Sequence, residues 1–182
     1  MELKAALCGL SFTNDRNWCY GNSTVYNALW TLLCLSGEDL SFWGPRQETL
    51  ISFICRHAST MATLCNESWF QVVLRDWGNS QSQQDSAECT THLLAWLSSP
   101  AFNMRWERRV ELADGFQVCD HNSEHAPILL HIPHDIHHIG HCTLTELVRV
   151  WSQEQSMCTA LLTAAPCICV SIDRHRQTAE GE

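Results

Sequence analysis

The stretch Leu10-Ser11-Phe12-Thr13-Asn14-Asp15-Arg16-Asn17-Trp18-Cys19-Tyr20-Gly21-Asn22-Ser23 runs directly into Thr24-Val25-Tyr26-Asn27-Ala28-Leu29-Trp30-Thr31-Leu32-Leu33-Cys34-Leu35. In the second part, Val25, Ala28/Leu29 and Leu32/Leu33 recur at helical spacing. This predicts a helix over 22–35, capped by Asn22 or Ser23 and ended by Gly37. A cysteine placed just before a helix has chemical consequences. The free N–H groups and dipole at a helix N-terminus stabilise a thiolate, which is the attacking form of cysteine. A side-chain amide held near the sulfur can donate to the oxyanion of an acyl-transfer intermediate, and Asn14 and Asn17 both offer that donor. The competing reading of a cysteine beside a helix is a buried core thiol, which is the expected reading for most of the eleven cysteines.

Outward from this stretch, apolar spacing predicts a second helix over 46–64, with Leu50, Phe53/Ile54 and His57 on one face, and a third over about 67–76. The polar run Gly78–Gln84 reads as a loop. Asp85 can cap a helix running to about Ser98, with Glu88 three residues on completing a capping box. After Pro100 the pattern changes. Arg105–Val110, Gly115–Cys119 and Ile128–Ile132 are strand-like, a short helix follows at 144–151, and Cys167–Ile172 is an apolar strand introduced by Pro166. A helical lobe over about 10–99 followed by strands over about 100–175 predicts an α+β fold.

The 182 residues predict one domain, and 45% hydrophobic with 17% charged residues is a globular composition. Eleven basic against twenty acidic residues leave a formal charge of −9, which argues against a non-specific nucleic-acid binder. The N-terminal Met1–Leu7 has no apolar core behind a basic flank, and no run of about 18 apolar residues occurs, so neither a signal peptide nor a membrane span is expected. The cysteines, several inside apolar runs (Cys34, Cys55, Cys167, Cys169), then read as reduced core thiols of a cytoplasmic or nuclear protein.

Residues 14–23 resemble the cysteine box of the ubiquitin-specific proteases, Asn-x-Gly-Asn-Thr-Cys-Tyr-x-Asn-Ser, through Asn14, Asn17, Cys19, Tyr20, Asn22 and Ser23. Arg16 stands for the family's glycine and Trp18 for its threonine. Gln83-Gln84-Asp85-Ser86-Ala87-Glu88-Cys89-Thr90-Thr91-His92-Leu93-Leu94 is similar to the family's Gln-Gln-Asp-Ala-x-Glu-Phe-x-x-x-Leu-Leu box, in the same order and at a similar distance. Leu162–His175 is loosely similar to a third family strand, with Asp173 for lysine and His175 for phenylalanine. The resemblance implies a papain-like cysteine-protease fold, with a helical thumb lobe and part of the fingers and palm sheet. It implies Cys19 as nucleophile and Asn14 as oxyanion donor. It also implies that Gln84, Asp85 and Glu88 contact the C-terminal tail of ubiquitin through charge-assisted hydrogen bonds. The implied activity is hydrolysis of the isopeptide bond at the ubiquitin C-terminus, on ubiquitin or ubiquitinated proteins, without a cofactor.

Such a protease needs a base for the thiol proton. The family's histidine box follows the third segment, and only seven residues follow His175, so the catalytic domain is expected to be incomplete in this chain. Ile139-Gly140-His141-Cys142 imitates the box but precedes the third segment. The alternative expectation is a catalytically inactive ubiquitin-binding pseudo-protease or scaffold. His131, His134, His137, His138, His141 and Cys142 crowd one segment. Without a Cys-x-x-Cys pair their spacing fits no closed zinc template, and a histidine-rich loop with no metal is the expected reading.

Overall fold

The helix predicted from Val25, Leu29 and Leu32 forms as α2 (Cys19–Ser36), which buries those three residues together with Tyr20, Gly21 and Thr24. The computed structural model describes residues 2–14, 18–37, 40–75, 86–122, 127–131, 141–153 and 157–173. Gly37 ends α2 with a left-handed φ of 55° and an N–H bond to the Leu33 carbonyl, as its position predicts. The start differs from expectation: α2 begins at Cys19, not Asn22. Asn22 and Ser23 therefore lie inside the helix rather than at its cap, and their side chains bind the backbone carbonyls of Thr13 and Tyr20.

A short helix α1 (Leu3–Cys8), which apolar spacing did not announce, adds Ala6 and Leu7 to the core. It leads to strand β1 (Ser11–Phe12). The predicted helix over 46–64 is shorter than expected, forming as α3 (Gln47–His57). The chain then turns into β2 (Met61–Ala62), which pairs in parallel with β1. That pairing satisfies backbone groups that a longer helix would have held, so tertiary contact overrides the local pattern. Between α2 and α3 the chain makes a 3₁₀ turn over Leu40–Arg46, interrupted at Gly44. Gly44 combines φ 68° with a close approach to the chain after the fifth helix: a Cβ there would lie 3.1 Å from the Ser98 carbonyl oxygen.

Helix α4 (Ser68–Val73) sits inside the predicted 67–76, and α5 (Ser86–Leu97) follows the predicted course to Ser98. The core beneath these helices contains fully buried Trp43, Phe53, Phe70, Leu29, Leu32, Leu50, Leu93 and Leu97. An aromatic chain crosses it: Phe53 meets Trp69 at 5.4 Å, Trp69 meets Phe70 at 5.6 Å, and Phe70 meets Trp18 at 5.7 Å. Each large side chain buried this way contributes about 1.5–3 kcal/mol before conformational entropy is set against it. Glu67, at the start of α4, is buried but paired with the Arg56 guanidinium at 3.1 Å and the His57 ring at 3.0 Å.

Beyond a 3₁₀ turn at Pro100–Phe102 lie β3 (Arg105–Leu112) and β4 (Gly115–His121), then β5 (Ile128–His131) and α6 (Leu144–Ser152). Thr143 and Glu146 cap α6 reciprocally. A strand that was not expected, β6 (Cys158–Thr163), completes an antiparallel sheet in the order β4-β3-β6. The last strand, β7 (Val170–Asp173), starts three residues later than the apolar run and pairs in parallel with β5. Before it, the Cys167 amide is engaged by the Ala101 carbonyl, and the Cys169 carbonyl accepts from Ile128. These bonds carry the chain back onto the helical lobe. Met104, Ile128, Leu130 and Leu147 form a second, smaller core. The observed class is therefore mixed α+β.

All eleven cysteines are free. Cys34 and Cys55 are exposed, contrary to the core-thiol expectation, whereas Cys167 and Cys169 are half-buried against the helical core and Cys89 is fully buried. Among the described residues no helix is long and apolar enough to cross a membrane.

Candidate functional site

Cys19 is the first residue of α2, exposed, with Trp18 as the N-cap residue. The first intrahelical bond runs from the Asn22 amide to the Trp18 carbonyl at 2.9 Å. The amides of a first helical turn lie ahead of that ladder and point past the helix end, toward the Cys19 side chain's end of the helix. Trp18 is buried rather than lying over the sulfur: its ring stacks on Tyr20 at 5.7 Å and meets the edge of Phe70. The bulk of Trp18 thus goes into the core, and Cys19 stays exposed. Gly21 makes this packing possible, since a Cβ there would lie 3.1 Å from the tip of the Phe70 ring.

The segment before Cys19 is clamped at Thr13. Its amide donates to the Ala62 carbonyl at 2.9 Å and its hydroxyl to Thr63 at 3.1 Å, while its carbonyl accepts from the Asn22 side chain at 2.7 Å. The first turn of α2 therefore holds the end of β1 directly. Asn14, the oxyanion candidate, follows this clamp and is exposed. Two buried polar atoms here have no partner among the described residues: the Trp18 indole N–H and the Asn22 amide oxygen. The Thr13–Asn22 contact ties the end of β1 to the first turn of α2, and sequence reasoning missed it. Asn22 stood in the motif, but its spacing suggested a cap rather than a tertiary bond.

The start of α5 packs beside the start of α2. Thr24 and Thr90 bring their hydroxyls within 3.4 Å, and Cys89 lies fully buried beneath them. Burial pushes the Cys89 thiol up to about 12, despite the opposing Thr24 hydrogen bond, and the Glu88 charge pushes the same way. Tyr20 is pushed up to about 12 by burial, with Cys89 and Cys19 adding to it. Cys19, Tyr20, Cys89 and Glu88 thus share one electrostatic neighbourhood. Glu88 itself is exposed in the first turn of α5, while Gln84 and Asp85 lie outside the described residues.

No described histidine is hydrogen-bonded to Cys19; His57 is engaged with Glu67 and Thr60. Of the histidine-rich segment, 132–140 lies outside the described residues, and among the described residues no cluster could hold a metal ion. The arrangement can present a nucleophilic thiol at a helix N-terminus beside an acidic helix start. No family model, curated protein or solved structure matches this chain.

Proposed function

We propose that the chain is the Cys19-bearing part of a papain-like thiol hydrolase that acts on the C-terminus of ubiquitin. The observation that carries the reading is the juxtaposition of two motif segments distant in sequence. Cys19 opens α2 and stays exposed, and Glu88 opens a helix packed against the same helix start. In this reading the Cys19 sulfur attacks the carbonyl carbon of ubiquitin's terminal glycine. A C–S bond forms, the C–N bond to the substrate amine breaks, the thiol proton goes to that amine, and water then hydrolyses the thioester. Asn14 donates to the oxyanion, and Gln84, Asp85 and Glu88 receive the tail. A general base carries the proton from sulfur to that amine.

A ubiquitin-binding pseudo-protease is the second reading, favoured by Cys19 having no hydrogen-bonded histidine among the described residues. The experiment that separates them uses ubiquitin amide-linked at its C-terminus to a fluorophore. Fluorophore release by the native chain and not by Cys19→Ala supports the hydrolase. Binding without release supports the scaffold, and neither binding nor release removes both readings.

A further inference from the structure

Cys19 opens helix α2, and a different feature lies at its close. Trp30, Leu33, Cys34 and Gly37 fall at helical spacing on one side of its last turns. They front a cavity of about 640 Å³, whose other walls are Glu2, Leu3 and Lys4 at the start of α1 and Leu40 of the 3₁₀ turn. This end of α2 lies roughly 25 Å along the helix from Cys19, so the proposed ubiquitin site does not use it. The volume falls within the range of small-molecule sites. Tyr26 stacks on Trp30 at 6.4 Å and backs the ring.

The walls define what a ligand must carry. Leu3, Trp30, Leu33 and Leu40 offer an apolar surface. Glu2 and Lys4 put one charge of each sign beside it; both are exposed, and among the described residues neither forms an ion pair. The end of α2 adds partial negative charge, since the last carbonyls of a helix lack intrahelical donors and this last turn carries no basic side chain. A cationic ligand would meet Lys4, and an anionic one would meet Glu2 and the helix end. A zwitterion satisfies all three. A dipeptide carries its two charges about 7 Å apart, and the side chains they must meet are themselves two positions apart in the chain. We infer that this cavity takes a short apolar peptide with both termini free. Its ammonium lies toward Glu2 and the end of α2, its carboxylate toward Lys4, and its side chains against Trp30 and the leucines.

The exposure of Glu2 and Lys4 sets the strength. Each exposed ion pair is worth about two- to fivefold in affinity. For a ligand of roughly 20 non-hydrogen atoms the Kd is then about 0.1–1 mM.

Cys34 is an exposed thiol in the cavity wall and gives the readout. The full chain is labelled with iodoacetamide and each thiol followed by peptide mass spectrometry, with and without about 5 mM leucyl-phenylalanine. The peptide should slow labelling of Cys34 at least about threefold, while Cys55, exposed on α3, labels at an unchanged rate. N-acetyl-leucyl-phenylalanine and leucyl-phenylalanine amide each lack one charge and should bind about two- to fivefold more weakly. Glu2→Gln should shrink the parent peptide's advantage over the acetylated form, and Lys4→Gln its advantage over the amide. Both side chains are exposed, and Glu2 makes no side-chain bond to the helix it caps, so neither substitution touches the core. Unchanged Cys34 labelling with the parent peptide, equal protection by all three peptides, or charge preferences that survive both substitutions would overturn the inference.

Discussion

The two parts of this chain bury their apolar residues very differently. The helical part encloses Trp43, Phe53, Phe70 and a shell of leucines completely, and this core reaches the residues beside Cys19 through Phe70, Trp18 and Tyr20. The strand-rich part closes on Met104, Ile128, Leu130 and Leu147, and leaves Phe116, Val118, Leu161 and Ile172 in contact with solvent. The candidate nucleophile is thus built on the better-packed part, where a helix start can be held rigidly. The strand-rich part has surface to spare for partners.

Mutations at the two cores should break this comparison most visibly. Trp43→Ala removes a fully buried indole whose N–H bonds Ser36, and should cost about 3–5 kcal/mol by chemical denaturation. Leu147→Ala, in the small core, should cost about 2–4 kcal/mol. Its loss should raise amide hydrogen exchange in β5, α6 and β7 while α2 and α5 stay protected. Equal loss of protection in both parts would show a single cooperative unit and remove the distinction.

Gly21→Ala acts at the join of core and site. The added methyl meets Phe70, and overpacking there should cost about 1–3 kcal/mol. It should also slow alkylation or ubiquitin capture at Cys19 more than a surface alanine change elsewhere on α2. A stable variant with unchanged Cys19 reactivity would disconnect Phe70 packing from the site.

The α2–α5 junction should be sensitive to alkali. Tyr20 and Cys89 are both pushed up to about 12 in the fold, above their ordinary values of 10.0 and 9.0. The folded state keeps protons that the unfolded chain gives up, so their contribution is full below about pH 9 and is lost between pH 9 and 12. Melting temperature should fall across that window, less steeply in Tyr20→Phe. At neutral pH, Cys89 should resist iodoacetamide until the chain unfolds, whereas Cys19 reacts in the native state.

The smallest effect is expected at the end of α5, where Ser98 holds a left-handed φ of 48°. Ser98→Gly should raise stability by about 0.5–1 kcal/mol, read as a shift in denaturation midpoint. A loss of stability would mean that the Ser98 hydroxyl bond to Ala95 outweighs the backbone strain.

The helices at α2 and α5 were legible because apolar spacing and punctuation agree there: Val25, Leu29 and Leu32 before Gly37, and Leu93, Leu94 and Leu97 before Ser98. The end of α3 was not, because the pairing of Met61 and Ala62 with Ser11 and Phe12 is a contact across fifty residues. Strand β6 was missed for a similar reason: Cys158–Thr163 has no clean alternation, and its place is set by β3. At the site, motif and helix position single out Cys19 and Glu88, and each falls in the first turn of its helix. The Thr13–Asn22 clamp could not, since nothing local to Asn22 distinguishes a cap from a tertiary donor.

The central claim is that Cys19, alone among eleven thiols, is presented to the tail of ubiquitin. It is tested most directly by reacting the native chain with ubiquitin carrying a C-terminal thiol-reactive electrophile, then mapping the adduct by peptide mass spectrometry. One adduct is expected, on Cys19, absent from Cys19→Ala and weakened by Glu88→Ala. An adduct on Cys8, Cys34 or Cys55, or none in a folded sample, would contradict it.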